Sequence, residues 1–354
     1  MKSEKIQKML QIVAPGTALY EGLENILRAR TGALIVVGGD KPDVLELVRG
    51  GFKVDCDFSP LAIYELAKMD GAVILTSNAD KIIQANVHLM PDTSIHSIET
   101  GLRHSTAERV AKSTSALVIA ISHRRNIITL YSGHTRYVLS EISVVLAKAN
   151  QALQTLDNYR KSFDKALTYL TILEFEDEVT SNEVTSAIQR YELMRRVADE
   201  VSSYIIELGN EGRLVSMQLD ELITGTYDEI EYLLMDYLSE STPEAVKKAM
   251  DAVGGLDFED VLDLAVMAKV VFQNTPGTVL DADMVPRGYR ALSGISRLPM
   301  TIIHNIVDEF KSLQSIMDAT VEELDDVEGI GEVRAKAVKE GLERLSEQVF
   351  SSKI

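Results

Sequence analysis

The chain has 354 residues, 45% of them hydrophobic and 25% charged, with 54 acidic against 36 basic side chains and a formal net charge of −18 at pH 7. That length exceeds one ordinary hydrophobic core and predicts two or three domains; the charge excludes a chain that coats nucleic acid by bulk attraction, though not a local site of backbone amides and a few basic side chains. The single Cys56 excludes an intramolecular disulfide and a cysteine zinc site, and no apolar run approaches the roughly 18 residues that span a bilayer.

The N-terminal MKSEKIQKMLQIVAPG lacks the apolar core of a signal peptide and reads as an amphipathic helix stopped at Pro15-Gly16. The expected compartment is the cytoplasm, without a membrane partner. TALYEGLENILRAR has helical spacing and leads into GALIVVGG, a short apolar run closed by glycines. SPLAIYELAKM is a second helix, capped by Ser59 with Pro60 in its first turn. It feeds the strand GAVILT, and then the stretch IIQANVHLMP. ETGLRHSTAERVAKST follows as a helix, and ALVIAIS and NIITLYSG are two more strands. Helices interleaved with wholly apolar strands predict an α/β domain whose central sheet is covered on both faces.

From Ser140 the texture changes. EISVVLAKANQALQTLDNYRKSFDKALTYLTILEFEDE and SNEVTSAIQRYELMRRVADEVSSYIIEL carry apolar residues three and four apart, which predicts an all-α spine of long helices. Beyond Pro286, short helices and tight turns predict a compact all-α unit. The expected domains are therefore 1–140, 141–285 and 286–354.

Three polar loops interrupt the apolar texture of the first domain. Asp70-Gly71-Ala72 stands at the entry to GAVILT, where an aspartate can hold a divalent metal and a glycine lets a flat ligand approach the backbone. A plain turn before a strand accounts for the same residues. Arg103 and His104 follow Gly101 where loop becomes helix, and with Thr106 and the free amides of the helix start they suit phosphate oxygens. A surface helix capped by Ser105 or Thr106, with Glu108 near its positive end, is the plainer account. Ser122-His123-Arg124-Arg125-Asn126 joins two strands; it is either a polar loop tip or part of a ligand site at the sheet end. One carboxylate with several cationic and hydroxyl groups suits a metal-bound polyphosphate, while the P-loop and G-x-G-x-x-G cradles are both missing.

KMDGAVIL, ANVHLMPD, ETGLRHSTAERVAKST and ISHRRNIITLY resemble, in order and spacing, the diadenylate cyclase family. VAPGTALYEGLENILRA, YIIELGNEGRL, MVPRGYRAL and VEGIGEVRAK extend the resemblance along essentially the whole chain, to the DNA integrity scanning (DisA) members of that family. The resemblance implies condensation of two ATP molecules into cyclic di-AMP with release of two pyrophosphates, using Mg²⁺ or Mn²⁺, between domains that meet face to face. It implies that Asp70 binds metal and positions the attacking 3′-hydroxyl, and that Gly71 and Leu89 contact adenine through backbone groups. Arg103, His104, Thr106, Ser122 and Arg125 would line the triphosphate. It also implies a homo-octamer and inhibition by branched DNA such as Holliday junctions.

One departure stands out. The family pattern Gly-Thr-Arg-His-Arg is here Gly101-Leu102-Arg103-His104-Ser105. Ser105 offers the phosphates a donor without a charge, and loss of one arginine–phosphate contact costs about 1.5–3 kcal/mol. Turnover would slow on the order of ten- to a hundredfold. The same departure leaves open a DNA-binding scaffold, or an ATP sensor, with a weakened or inactive cyclase site; His123 or Arg124 would be the compensating groups otherwise.

DVEGIGEVRAKAV follows a helix-hairpin-helix pattern: Gly329 and Gly331 flank apolar Ile330, and a helix follows with Ala335 and Val338 inside. The glycines allow a tight turn whose amides face a DNA phosphate, with Arg334 and Lys336 on the next helix adding charge. A tight helical turn used only for packing is the alternative. SRLPMTIIHNIV resembles a degenerate first hairpin, with Arg297 and Pro299 in place of glycines, and a tandem pair would straddle a DNA backbone without reading bases.

Overall fold

The structure is a computed structural model that describes residues 2–273, 276–296 and 298–351; Arg297 of the degenerate first hairpin lies outside them. The chain forms two compact units: one takes the residues up to Gln151 together with Val201–Met217, the other Ala152–Glu200 together with the chain from Gln218 onward.

The first unit is built on α1 (Lys2–Ile12), α2 (Ala18–Arg28), β1 (Ala33–Val37), α3 (Pro42–Leu45), β2 (Val48–Arg49), β3 (Phe52–Asp57), α4 (Pro60–Leu66), β4 (Ala72–Leu75), β5 (Lys81–Leu89), α5 (Leu102–Ser113), β6 (Leu117–Ser122), β7 (Ile127–Ser132) and β8 (Thr135–Val138). Its sheet has the order β2-β5-β4-β1-β6-β7-β8, with β3 also paired to β5. Side chains alternate across a strand, and both sets here are buried. Ile35, Val37, Val73, Ile119 and Ile121 pack with Leu10 of α1 and Val13 just after it, Leu23 and Ile26 of α2 and Ile63 of α4. Their neighbours Leu34, Val36, Ile74 and Val118 pack with Val44 of α3 and Ala107, Val110 and Ala111 of α5. The α/β reading with a sheet covered on both faces therefore holds.

Local signals place the helices. Thr17 accepts from the Tyr20 amide at the start of α2, and Ser59 accepts from the Ala62 amide at the start of α4, with Pro60 in the first turn. The start of α5 differs from the plainer sequence account. Gly101 is its N-cap, because the Ser105 amide already donates to the Gly101 carbonyl at 2.8 Å. Ser105 and Thr106 thus lie inside the helix and cap nothing. Strands β2, β3 and β8 and the short α3 escape a reading of apolar runs, since each is short or interrupted by a polar or charged residue: Arg49, Lys53, Asp55 and Asp57, Arg136, and Asp43.

The second unit is helical. The helix α6 (Ile142–Glu176) runs 35 residues and α7 (Ser181–Leu208) runs 28, and each begins in one unit and ends in the other. Next come α8 (Arg213–Ile223), α9 (Thr226–Tyr237), α10 (Pro243–Gly254), α11 (Phe258–Leu262) and α12 (Leu264–Phe272). The chain closes with α13 (Tyr289–Ser293), α14 (Met300–Phe310), α15 (Leu313–Asp318), α16 (Val321–Asp325) and α17 (Glu332–Ser351). Much of the segment 141–285 and all described residues beyond Pro286 therefore share one compact unit.

A buried polar network explains that union. Asp236, at the end of α9, accepts the amides of Gly288 and Tyr289 at 2.7 Å and that of Arg290 at 3.0 Å. Arg290 pairs with Glu174 of α6 at 2.7 Å, and the Tyr237 hydroxyl donates to the same Glu174 oxygen at 2.7 Å. Arg287 donates to the carbonyls of Met235 and Asp236. Burial, and then the charge of Glu174, push Asp236 up to about 7 despite its amide donors and Arg290. Breaking a buried pair costs about 3–5 kcal/mol because a charge is left without compensation. Arg290→Met is therefore expected to destabilise the second unit by about that amount in urea unfolding. Asp236 is raised above its unfolded value, so its contribution is present at low pH and lost as pH rises through its folded pKa. Without Arg290 that pKa rises further, so the deficit should be larger at pH 8.5 than at pH 6.

Candidate functional site

Hydrogen-bond register brings the polar loops of the first unit together. Among the described strands, β1 and β4 are the only parallel pair, with Ile35 beside Val73, and their starts lie at the same edge of the sheet. β6 is antiparallel to β1, with Ala33 opposite Ile121, so Ser122 and the turn into β7 reach that edge too. β5 is antiparallel to β4, with Ala72 opposite Val87, so Leu89 continues past Val87 on the side from which Asp70 and Gly71 enter. Asp70, Gly71, Leu89, Ser122 and Arg125 thus share one rim. From β5 across β4 and β1 to β6 is three strand spacings, about 14 Å, which suits an extended nucleoside triphosphate. The rim lies at the amino ends of the parallel pair, unlike the carboxyl-end sites of doubly wound sheets.

The start of α5 joins the same rim. The Arg103 guanidinium lies over Gly32, just before β1: a Cβ there would fall 2.1 Å from Nη1. Arg103 is exposed and has no ion-pair or hydrogen-bond partner among the described residues, which leaves its donors for an anion. Asp70 is likewise exposed and without a hydrogen-bond or ion-pair partner among the described residues. Gly71 has φ +96°, and a Cβ on it would meet the Val87 carbonyl oxygen at 2.8 Å, so only glycine fits. Leu89 is held by Val48 of β2, and the Met90 amide donates to the Leu47 carbonyl. In the β6–β7 turn the Arg125 amide donates to Ser122 Oγ at 3.3 Å, and the Arg124 and Arg125 side chains are exposed. Thr106 is half-buried in α5.

Ser105 does not join them. It is buried, and its hydroxyl donates to the Leu102 carbonyl at 3.0 Å, so the expected phosphate donor is spent on the helix itself. Leu102 is 89% exposed and carries no polar atom to the rim.

His104 belongs to a chain of groups that sequence reasoning missed. Its Nδ1 lies 2.9 Å from the Tyr131 hydroxyl, which donates to Glu99 Oε1 at 2.8 Å; Arg136 Nε donates to the same oxygen at 2.7 Å. His104 Nε2 is buried with no hydrogen-bond partner among the described residues. Burial lowers the His104 pKa, Glu99 opposes that, and Arg103, Arg125 and Arg136 reinforce it. Burial also acts on Glu99, raising it, but the hydrogen bonds from Tyr131 and Arg136 win and hold it below the usual carboxylate range. The loop bearing Glu99 is fastened to α5: Glu108 accepts from Ser97 Oγ at 2.6 Å, the Ile98 amide at 3.1 Å and Lys112 at 2.8 Å. Tyr131 is the fully buried aromatic of an otherwise branched strand, a signal visible in NIITLYSG.

Comparison with known proteins gives three matches along the chain. A family model described as "DisA bacterial checkpoint controller nucleotide-binding" matches residues 20–136, one described as "DisA bacterial checkpoint controller linker region" matches 139–276, and a helix-hairpin-helix motif matches 312–341. The DNA integrity scanning protein DisA of Carboxydothermus hydrogenoformans is 52% identical, covering 98% of this chain and 99% of that one. Its namesake in Clostridium botulinum (strain Langeland) is 49% identical, covering 100% and 99%. The chain belongs to the DisA family. It is a diadenylate cyclase, a nucleotidyltransferase. A solved structure of a DacA cysteine double mutant from Staphylococcus aureus overlaps 39% of this chain and 90% of that one, at 22% identity and a TM-score of 0.29. No helix among the described residues is long and apolar enough to cross a membrane.

The helix-hairpin-helix turn bears the second polar surface. Thr320 and Glu323 form a capping box that starts α16. Gly329 has φ +83°, and the amides of Arg334 and Ala335 donate to the Gly331 carbonyl as α17 begins. Ile330, Ala335 and Val338 are buried. Arg334 and Lys336, expected to be free for phosphate, are engaged within the motif. Arg334 Nη1 donates to the Gly329 carbonyl at 2.8 Å, and Lys336 pairs with Glu332 at 2.6 Å. A solvent-exposed pair of this kind is weak and salt-sensitive. Among the described residues no heavy atom lies within 4 Å of where a side chain on Gly331 would begin, which leaves room for an outside backbone. Gly331→Leu is therefore expected to keep the thermal stability of the full chain while weakening DNA binding about tenfold, the scale of one lost charge-assisted contact. Thermal melts and electrophoretic shifts on the same preparation check this.

Proposed function

We propose that the rim is one half of a two-nucleotide reaction centre. Each first unit holds one ATP, with adenine against Gly71 and Leu89 and the triphosphate against Arg103, His104, Thr106, Ser122 and Arg125. Two units face each other, and the 3′-hydroxyl of each ATP attacks the α-phosphorus of the other. Each attack forms one phosphodiester bond and expels one pyrophosphate, giving cyclic di-AMP and two pyrophosphates. Phosphoryl transfer of this type is governed by positioning and by neutralisation of charge on non-bridging oxygens. The unpartnered guanidinium of Arg103, on the same rim as the unpartnered carboxylate of Asp70, carries the reading.

The residues fit a hard divalent cation. Among the described residues no group of three or more His, Cys, Asp or Glu forms a protein-only cage. A single carboxylate completed by substrate phosphates is the usual arrangement for Mg²⁺ and suits Mn²⁺. Asp70 would hold the ion, which when bound supplies charge neutralisation to the phosphates. Asp70 also accepts a hydrogen bond from the 3′-hydroxyl and orients it, while Arg103 neutralises developing charge on the phosphate oxygens.

We further propose that the tip around Gly329 and Gly331 binds branched DNA, such as a Holliday junction, through backbone amides and without reading bases. DNA occupancy then lowers cyclase output by way of α6 and α7, whose continuity from one unit into the other supports such a route. A homo-octamer in the cytoplasm completes the proposal. A second reading, a DNA-binding scaffold or ATP sensor with a weakened cyclase site, takes its support from Ser105, whose hydroxyl is turned inward.

The test is incubation of the full chain with ATP and Mn²⁺, followed by chromatographic separation of the nucleotides. The native protein should yield cyclic di-AMP, and Asp70→Asn should yield none while keeping its oligomeric state. Undiminished product from Asp70→Asn removes that residue from the mechanism. No product from either protein favours the scaffold or sensor.

A further inference from the structure

The His104–Tyr131–Glu99 chain has a direction fixed by chemistry. Glu99 is held ionised by Arg136 and Tyr131, and an ionised carboxylate only accepts, so the Tyr131 proton points at Glu99. The phenolic oxygen therefore receives a proton from His104, which places the neutral imidazole's hydrogen on Nδ1 and its lone pair on Nε2. Nε2 is the buried atom without a partner, in the turn that also bears Arg103. A lone pair facing a phosphate oxygen repels it; a protonated Nε2 donates to it.

We propose that Glu99 and Tyr131 are positioning residues that aim His104 Nε2 at the nucleotide triphosphate and couple nucleotide binding to uptake of one proton by that nitrogen, resting on the triphosphate site proposed above. The proton comes from solvent as the phosphate arrives and is held between Nε2 and a phosphate oxygen. The resulting imidazolium is balanced through Tyr131 by the Glu99 carboxylate. The charged groups around the ring come from every element near it: Arg103 on α5, Arg125 in the β6–β7 turn, Arg136 on β8 and Glu99 in the loop before α5. Three of these are cations that oppose protonation in the empty site. Glu99 is the anion that opposes them, and the arriving triphosphate reverses the local balance.

Calorimetry of the full chain decides it, using 3′-deoxy-ATP, which lacks the attacking hydroxyl, with Mn²⁺ at pH 8 in buffers of differing ionisation enthalpy. The native protein should take up about one proton per nucleotide bound, the single exchangeable site on Nε2. Glu99→Gln keeps the shape and the acceptor for Tyr131 but removes the charge, and Tyr131→Phe removes the link. Each should lower the uptake by half or more and lower kcat/KM for ATP about tenfold, the effect of moving the imidazole pKa by about one unit. Full uptake and unchanged kcat/KM in both variants overturns the relay. Lost kcat/KM with full proton uptake in both variants also overturns it, because that pattern is a packing defect. His104→Asn separates the two levels of the proposal. If it binds the analogue as tightly as the native protein, with the same uptake, the triphosphate site itself is misplaced. If it weakens binding while Glu99→Gln and Tyr131→Phe change nothing, only the relay fails.

Discussion

β1 is hydrogen-bonded in parallel to β4 on one side and antiparallel to β6 on the other, and the chemistry of the first unit follows from that asymmetry. Parallel pairing puts the entry of β4, with Asp70 and Gly71, level with the entry of β1. Antiparallel pairing puts the exit of β6, with Ser122, at the same level. A slip of one residue would move every β1 side chain to the other face of the sheet, where it would meet a different set of helices. The covered sheet is thus what holds a carboxylate and several cations in one row, and helix α5 adds Arg103 and His104 at its first turn.

Much of this was legible because apolar runs and caps are local signals. GALIVV, GAVILT, ALVIAIS and NIITLYS all became strands, and Ser59-Pro60 started α4 as its chemistry requires. The motifs also named the rim residues. What escaped was tertiary. Glu99 and Tyr131 are 32 positions apart, and no spacing rule joins a loop carboxylate to a strand phenol. Ser105 was misjudged for a related reason: its place after His104 says nothing about which side of the helix it faces. Its hydroxyl bonds back to Leu102 once Gly101, and not Ser105, caps the helix.

The second unit shows the same contrast. The 3.6-residue pattern gave its long helices, but the motif MVPRGYRAL carried no visible reason for its composition. The structure supplies one. Asp236 takes three successive amides from Gly288 to Arg290, and Arg290 returns to Glu174 on α6. A polar network buried this deeply costs desolvation and offers little net stability, but it fixes where the segment after Pro286 meets the long helices. The helix-hairpin-helix tip is mounted on that junction, and Gly331 keeps its turn open to an outside backbone.

The central claim is that one sheet rim receives the nucleotide. A crystal structure of the full chain with 3′-deoxy-ATP and Mn²⁺ tests it most directly. The account predicts adenine beside Gly71 and Leu89, the metal on Asp70, and the triphosphate between Arg103, His104 and the β6–β7 turn. Nucleotide bound at the opposite edge of the sheet, near Asp40 and Ser77, or in the helical unit, would contradict it.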